Sequence, residues 1–510
     1  MNRRSFLDFL GRGVVFSPLA PSLLSSCTSS GEYLTEALEG LQAQRTDELA
    51  LIEGLEMKVL IGYKDAISAS EEFGYDNDGI FYLADEGLLW VNHAAVNPRL
   101  NPNFDPDKAR LRSDIVQEML DVGGSLLKVG QQWGTWSMET EAASNRRLTG
   151  SQLIPFEWHE QVAGSESSFG TVANGSVSRT PWGTLLICEE QYATFYGDKD
   201  FSTGDYKGSP LQWELFFPNN KTEHYGWIVE FDPTTGSAKK HVALGRFSHG
   251  CVATQVLDDG RVVIYSGDEQ RGGCLYKFIS SVPGSIADGV LHVANFSTGR
   301  WEPIAYNRPE LQDAFQTVTE MMIRTREAAL LVGGTPLDRP QDIAIDAVDG
   351  SLILSLVNNE SEENYFGSLM RITESTGSES LEFNYETYLT GGQETGFACP
   401  NHLAFDSAGS LWFTSDMPRD TGAYEPFGNN ALYVVPREGV NAGKVVRMAS
   451  APRDAKFAGP CFAPDGTLFL SVQHPGSASE GPKALTSNWP DGPGSLPRPS
   501  VIVIQGEMII

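Results

Sequence analysis

A short pattern occurs six times along the chain: a turn-forming residue, a glycine, a run of apolar residues and then a polar cluster. Glycine adopts the positive φ that tight hairpin turns require, and a short apolar run after the turn fits a buried strand. The six glycines are Gly87, Gly183, Gly260, Gly350, Gly409 and Gly466. Six such hairpins predict an all-β fold, a six-bladed β-propeller around a central channel.

The polar clusters follow the apolar runs closely, so each one marks the end of a predicted strand. The clusters are Asn92-His93, Glu189-Glu190, Asp268-Glu269, Asn358-Asn359, Asp416 and Gln473-His474. If the six strands are equivalent, these ends converge on one mouth of the channel, which becomes the candidate site. The alternative is that the strand ends are polar only because they reach water.

Three segments with helical periodicity interrupt the strand pattern, and we expect helical insertions on the rim of the propeller. They run from Glu32 to Gly54, from Lys108 to Leu120 and from Pro309 to Leu331. The predicted organisation is a signal over residues 1–27, an N-terminal helical segment over 28–60 and the propeller over 61–510.

The N-terminus has the features of an export signal. The pair Arg3-Arg4 precedes a weakly apolar stretch, which resembles a Tat signal. Leu24-Ser25-Ser26-Cys27 resembles a lipoprotein cleavage box, with Cys27 as the lipidated residue; an ordinary cleaved signal is the alternative. We expect a periplasmic or outer-membrane lipoprotein that contacts the membrane only through its lipid anchor.

Charge and cysteine content narrow the possible partners. The formal net charge of −29 disfavours nucleic acid, so a small-molecule ligand and a monomeric chain are expected. Five cysteines remain after the predicted cleavage, and they are scattered and odd in number. This pattern predicts free thiols rather than a disulfide framework.

The strand ends carry the residues suited to metal or anion chemistry. Glu189 and Glu190 are adjacent, so they point to opposite faces of a strand. Their carboxylates are hard oxygen ligands suited to Ca²⁺ or Mg²⁺, and Asn92, Asp268 and Asp416 are candidates to join them. Arg339 has the planar fork that holds an oxyanion. His474 is expected to maintain the fold, and Asp76-Asn77-Asp78-Gly79 is expected to be a turn.

Several stretches resemble, in order, the PhoX alkaline phosphatases, which are calcium-dependent propellers exported by Tat. The stretches are Asn145–Gly150, Thr180–Thr184 with Cys188–Glu190, Tyr265–Glu269 with Arg271-Gly272, Ile323–Ala329, Leu337–Pro340, Gly459–Phe462 with Pro464–Gly466, Gln473–Gly476, and Ser487–Gly492 with Pro497-Arg498. The resemblance implies a six-bladed propeller that cleaves phosphate monoesters. It also implies a mouth whose calcium and ferric ions bind phosphate and supply the nucleophile.

The chain departs from the family where the resemblance implies metal ligands. In place of carboxylates and an iron-binding cysteine it has Ala94, Gly175, Gly250, Gln270, Gln341 and Asn401. A cluster of five ions needs many anionic ligands, so we expect a reduced metal site. Calcium is expected if the protein is active, and iron is doubtful because its cysteine ligand is absent.

Two functions remain open from the sequence. The first is a PhoX-like phosphatase with a reduced metal site, in which Arg339 and Glu190 are catalytic. Its metal ligands are predicted to be Glu189, Glu190, Asp268, Asn92 and Asp416. The alternative is a catalytically inactive propeller that binds a ligand or a protein partner at the same mouth.

Overall fold

The computed structural model describes residues 38–101, 108–418 and 422–506. The predicted signal over residues 1–27, with Cys27, lies outside the described residues. Within them, six sheets follow one another along the chain, antiparallel apart from one parallel strand pair in the second. The innermost strands of neighbouring sheets pack together around a common axis. The fold is the six-bladed β-propeller that the repeated hairpins predict.

The first two blades contain the strands that lie within residues 77–241. Two N-terminal strands, β1 (Ala50–Leu51) and β2 (Leu55–Gly62), precede them. The first blade contains β3 (Asn77–Leu83), β4 (Leu88–His93), β5 (Gly123–Gln132) and β6 (Thr135–Met138), with β7 (Arg146–Leu148) paired to β5. The second contains β8 (Leu153–Glu157), β9 (Ser167–Phe169), β10 (Asn174–Arg179), β11 (Leu185–Glu189), β14 (Ile228–Phe231) and β15 (Ala238–His241), with β12 (Asp198–Lys199) and β13 (Tyr206–Lys207) as a separate pair.

The other four blades follow in chain order. The third contains β16 (Ala253–Val256), β17 (Val262–Gly267), β19 (Leu275–Ser280), β20 (Gly289–Asn295) and β21 (Arg300–Pro303), while β18 (Arg271–Gly273) pairs with β22 (Leu337–Asp338). The fourth contains β23 (Pro340–Ile345), β24 (Leu352–Leu356), β25 (Ser368–Glu374) and β26 (Phe383–Thr390). The fifth contains β27 (Pro400–Phe405), β28 (Leu411–Ser415), β29 (Ala431–Val435) and β30 (Val446–Ser450), and the sixth β31 (Lys456–Phe462), β32 (Leu468–Gln473) and β33 (Ser500–Gly506).

Helices occur only between strands of the described chain. The α-helices are α1 (Arg112–Asp121), α2 (Ala193–Tyr196), α3 (Trp213–Phe216), α4 (Pro309–Ala314), α5 (Val318–Ile323) and α6 (Thr325–Leu331). The 3-10 turns are Pro98–Leu100, Thr222–His224, Val242–Leu244, Glu360–Glu362 and Glu425–Phe427. In the part of the chain that the structure describes, no helix has the length and apolar character to span a membrane.

The predicted hairpins are confirmed. Each of the six glycines lies in the turn between the first and second strands of a blade, and each has a positive φ between 61° and 92°. The apolar runs that follow are the second strands, and their residues are buried throughout. The second strands therefore form the core between blades, and their polar ends lie at a single face.

The predicted helix from Glu32 to Gly54 is wrong in its described part. No helix occurs over 38–62; instead β1 joins the edge of the fifth blade and β2 pairs with β33 to complete the sixth. Ile52 and Leu55 are buried in the core between these blades. Because strand pairing and burial outweigh local helical preference here, the propeller begins near residue 50 rather than at 61.

Of the two other helical predictions, one gives a single helix and the other gives three short helices. The segment from Lys108 to Leu120 forms α1 as expected. The segment from Pro309 to Leu331 forms three short helices instead of one, because Phe315 is extended and Arg324 leaves helical geometry between α5 and α6. All five cysteines of the described chain are free, as predicted.

Candidate functional site

The polar strand ends meet at one face of the propeller, which we call the mouth. In a hairpin, the end of the second strand lies beside the start of the first, so each blade contributes two groups of residues to this face. The cross-strand pairs at this face are Asn77–His93, Asn174–Glu189, His249–Asp268, Pro340–Leu356, Pro400–Ser415 and Lys456–Gln473. The predicted convergence is therefore observed, and the starts of the innermost strands take part in it.

Two cations share one carboxylate at the mouth. Arg339 Nη2 lies 3.6 Å from Asp416 Oδ2, and Lys456 Nζ lies 3.4 Å from the same oxygen. Arg339 also donates from Nε to Glu269 Oε1 at 2.8 Å. Burial alone would raise the pKa of Asp416, but Lys456 and Arg339 lower it to about 2. These four side chains form a charged network that joins four blades.

Glu190 lies beside this network, and no basic side chain of the described residues forms an ion pair with it. It is 7% exposed, and its Oε1 accepts a hydrogen bond from Gln341 Nε2 at 3.0 Å. Burial raises the pKa of Glu190 well above its usual value, and the neighbouring carboxylates of Glu269 and Asp78 raise it further. A carboxyl group in this setting holds its proton at higher pH than an exposed one.

A second charged group, formed by Asp78, His402 and Asp342, lies on the channel axis. His402 Nε2 is 2.8 Å from Asp78 Oδ1, and its Nδ1 is 3.6 Å from Asp342 Oδ2. Burial alone would lower the pKa of His402, but the two carboxylates raise it to about 10. Asp342 and His402 also line a channel cavity of about 230 Å³ between the innermost strands. The imidazolium thus links three blades across the axis.

Three of the predicted metal ligands are engaged elsewhere. Glu189 forms a fully buried ion pair with Lys240 at 2.7 Å and accepts from two backbone N–H groups of the second blade. Asp268 accepts two hydrogen bonds of 2.7 Å from the guanidinium of Arg326. Asn92 is fully buried; it bonds the indole N–H of a tryptophan and backbone carbonyls of the second blade. Glu189 and Asn92 are fully buried, and Asp268, which lies at the mouth, is paired with Arg326.

The mouth opens into two cavities separated by His474. The first, of about 590 Å³, is lined by Asp416, Tyr424, Asn430 and Arg453 among others. The second, of about 580 Å³, lies on the side of Asp76, whose Oδ1 is 3.1 Å from His474 Nδ1. Small molecules therefore have room on both sides of His474.

The side chains present do not fit the multi-ion cluster that the resemblance implies. Within the described ranges, no group of three or more His, Cys, Asp or Glu side chains has a metal-binding arrangement. At Gly250, an added Cβ would lie 2.7 Å from the backbone oxygen of Gln341, so a longer side chain needs a backbone shift. At Gly175 the same atom would lie 2.7 Å from Glu190 Oε2. The position of Gly250 is thus closed by backbone, whereas at Gly175 the neighbouring atom is the end of a flexible side chain that can move aside.

Comparison with known proteins identifies the family. The chain matches the family profile described as alkaline phosphatase PhoX over residues 37–476, which is most of its length. The chain belongs to the PhoX alkaline phosphatase family. No curated protein matches it.

Among solved structures, PhoX of Pseudomonas fluorescens in complex with vanadate, a transition state analogue, is similar over the whole fold. Its TM-score is 0.84 at 26% identity, and the match covers 92% of this chain and 98% of that one. A luciferin-regenerating enzyme is 10% identical with a TM-score of 0.37, covering 89% and 96% of the two chains. A Dyadobacter fermentans protein of unknown function is 9% identical with a TM-score of 0.40, covering 89% and 100%.

Sequence reasoning placed Glu190, Arg339 and Asp416 at the mouth of this PhoX family member, but it missed other residues there. The missed residues are Asp78, Arg326, Asp342, His402 and Lys456. Four of them lie at the starts of innermost strands, which precede the predicted turns. Hairpin pairing was the available signal, because it places each of these starts beside a polar strand end.

Proposed function

We propose that this protein hydrolyses phosphate monoesters at the mouth. One observation carries the proposal: Arg339 and Lys456 reach the same carboxylate, Asp416, at the edge of the 590 Å³ cavity. A phosphate dianion presents oxygens of the same charge and acceptor character as this carboxylate. The two cations are therefore placed to take a phosphoryl group that enters from the cavity.

Arg339 is the proposed phosphate clamp. Its guanidinium is held by Glu269 and by Asn358, whose Oδ1 accepts from Nη1 at 3.2 Å. These contacts fix the plane of the fork before substrate arrives, so little side-chain entropy is lost on binding. Its positive charge then favours the transition state, in which charge spreads over the phosphoryl oxygens.

Glu190 is the proposed proton donor to the leaving group. Its burial near Glu269 and Asp78 raises the pKa of the carboxyl group, which favours the protonated form that a general acid requires. Water attacks phosphorus, the bond from phosphorus to the ester oxygen breaks, and that oxygen takes the proton of Glu190. The proton lost by the attacking water restores Glu190 through solvent, so the net products are an alcohol and inorganic phosphate.

The calcium ion expected from the resemblance has no role in this proposal. Three of its predicted ligands form ion pairs with basic side chains instead: Glu189 with Lys240, Asp268 with Arg326, and Asp416 with Lys456. For this reason the proposed roles are assigned to side chains alone.

Turnover of a chromogenic phosphate monoester, measured with calcium and again with a chelator, tests the proposal. We expect turnover by the wild-type protein and a loss of about 10²-fold or more in Glu190→Gln. Folded protein without turnover in either condition would reject hydrolysis. Retained binding of inorganic phosphate in that case would indicate a binding propeller instead.

We also propose that the protein is exported by Tat and is a periplasmic or outer-membrane lipoprotein, anchored through Cys27 and monomeric. Twin arginines before a weak apolar segment and the Leu-Ser-Ser-Cys box support this proposal. Metabolic labelling with a fatty acid tests it: Cys27→Ser should lose the label, and Arg3→Lys with Arg4→Lys should leave the precursor unexported.

A further inference from the structure

The carboxylates of the mouth and axis are matched to cations of the protein itself. Seven acids lie there: Asp76, Asp78, Glu190, Asp268, Glu269, Asp342 and Asp416. In the described chain, six of them contact a basic side chain at 3.6 Å or less, the partners being Arg326, Arg339, His402, Lys456 and His474. A site built for several multivalent cations needs excess negative charge, whereas here five basic side chains already lie among the seven acids.

Lys456 has the most central position among these cations. It begins the innermost strand of the sixth blade, and its side chain is 16% exposed. Its ammonium group interacts electrostatically with four acids, in the order Asp416, Asp78, Glu190 and Asp76. A point charge surrounded by carboxylates of several blades is the electrostatic situation of a bound cation.

His402 is likewise a positively charged side chain between carboxylates, here those on the channel axis. The imidazolium lies between Asp78 and Asp342, which come from the first and fourth blades, whereas His402 comes from the fifth. Without it, two buried carboxylates would face each other across the channel with no countercharge, which is costly. One side chain thus supplies the charge that would otherwise have to come from an ion.

We propose that Lys456 and His402 occupy the places of metal cations, so that the mouth carries its positive charge on side chains and keeps no metal cluster. The proposal rests on the function proposed above in one respect: Lys456 contacts the phosphoryl group together with Arg339. The other part, that Lys456 and His402 supply charge in place of metal ions, does not depend on whether the protein turns over a phosphate monoester. Lys456→Glu should reverse the replacement, because it places a new carboxylate among Asp416, Asp78 and Glu190 and removes their cation.

Metal content and calcium-induced stabilisation test the proposal without using activity. Wild-type protein purified without added metal should contain no stoichiometric calcium or iron by mass spectrometry, and millimolar calcium should shift its melting temperature by less than about 1 °C. In Lys456→Glu, calcium should raise the melting temperature by about 5 °C or more. Lys444→Glu is the matched control, because Lys444 is exposed and, among the described residues, its Nζ donates only to the carbonyl of Val440.

Binding of inorganic phosphate in the presence of chelator gives the second arm. We expect binding by the wild-type protein and about tenfold or greater weakening in Lys456→Met, which keeps the length of the side chain. Stoichiometric metal in the wild-type protein, or a large calcium shift, would overturn the proposal even if turnover is observed. If the wild-type protein is free of metal and calcium stabilises the Lys456→Glu variant, the charge-replacement proposal is supported, whether or not phosphate binds. A failure to bind phosphate would then count only against the proposed phosphatase function. If Lys456→Glu does not fold, the metal content of the wild-type protein and phosphate binding by Lys456→Met still test the proposal.

Discussion

His402 Nε2 lies 2.8 Å from Asp78 Oδ1, and this contact joins the innermost strands of the fifth and first blades across the channel. The backbone N–H of Leu403 donates to Asp342 Oδ2 at 2.8 Å, which ties the fourth blade to the same point. A propeller has no continuous core on its axis, because the strands there frame a channel. This charged group therefore holds the blades together where apolar packing cannot.

We expect stability to depend on pH through this group. The pKa of His402 is raised from 6.5 to about 10, so the folded state binds the extra proton between these values. The stabilisation is complete below about pH 6.5 and is lost as pH rises through about 10. Urea unfolding across this range should show the wild-type protein losing stability relative to His402→Asn. Parallel curves for the two proteins would contradict the assignment.

The two adjacent glutamates should respond in opposite ways to the same substitution. Glu189→Gln leaves Lys240 buried without a countercharge, so the free energy of unfolding should fall by about 3–5 kcal/mol. Glu190→Gln removes a carboxyl group that already lies beside Glu269 and Asp78, so stability should be unchanged or higher while turnover is lost. Denaturation curves and initial rates for both variants check this contrast. Equal loss of stability in both would show that Glu190 is structural.

The hairpin pattern sufficed to predict the number of blades, because each turn requires a glycine with positive φ and each second strand is uniformly apolar. The strand ends were predictable for the same reason, and Glu190 and Asp416 were found this way. The role of Glu189 was not predictable, since its partner Lys240 lies in β15, two strands away from β11 in the same sheet, and no sequence motif marks it.

The starts of the innermost strands escaped sequence analysis for a physical reason. Lys456, Asp342 and His402 each follow an irregular connection, so no periodicity marks them. Asp78 was expected in a turn, but it lies in β3 because Asn77 pairs with His93 at the start of that strand. Ion pairs between blades depend on how the six blades close into a ring. No short segment of the sequence contains information on this arrangement.

Arg339→Lys should reduce kcat/KM by about tenfold or more with little change in melting temperature, because lysine keeps the charge but loses the planar fork. Arg437→Lys is the matched control: Arg437 pairs with Asp346 at 2.9 Å, at the turn end of the fourth blade, away from the mouth. Its turnover should equal that of the wild-type protein. Unchanged kcat/KM in Arg339→Lys would exclude a phosphate clamp at this position.

Gly250 should tolerate no side chain, because the mouth is closed around it. A Cβ there would meet the backbone oxygen of Gln341 at 2.7 Å and Glu269 Cβ at 2.9 Å, and the first of these atoms cannot rotate away. Gly250→Ala should therefore lower the free energy of unfolding by about 1–3 kcal/mol and reduce turnover, since Glu269 holds Arg339. Gly130→Ala is the control: no atom lies within 4 Å of its added Cβ, so we expect a change within about 0.5 kcal/mol. Full stability and turnover in Gly250→Ala would show that the mouth has room for the lost ligand, and would weaken the case that side-chain cations have replaced the metals.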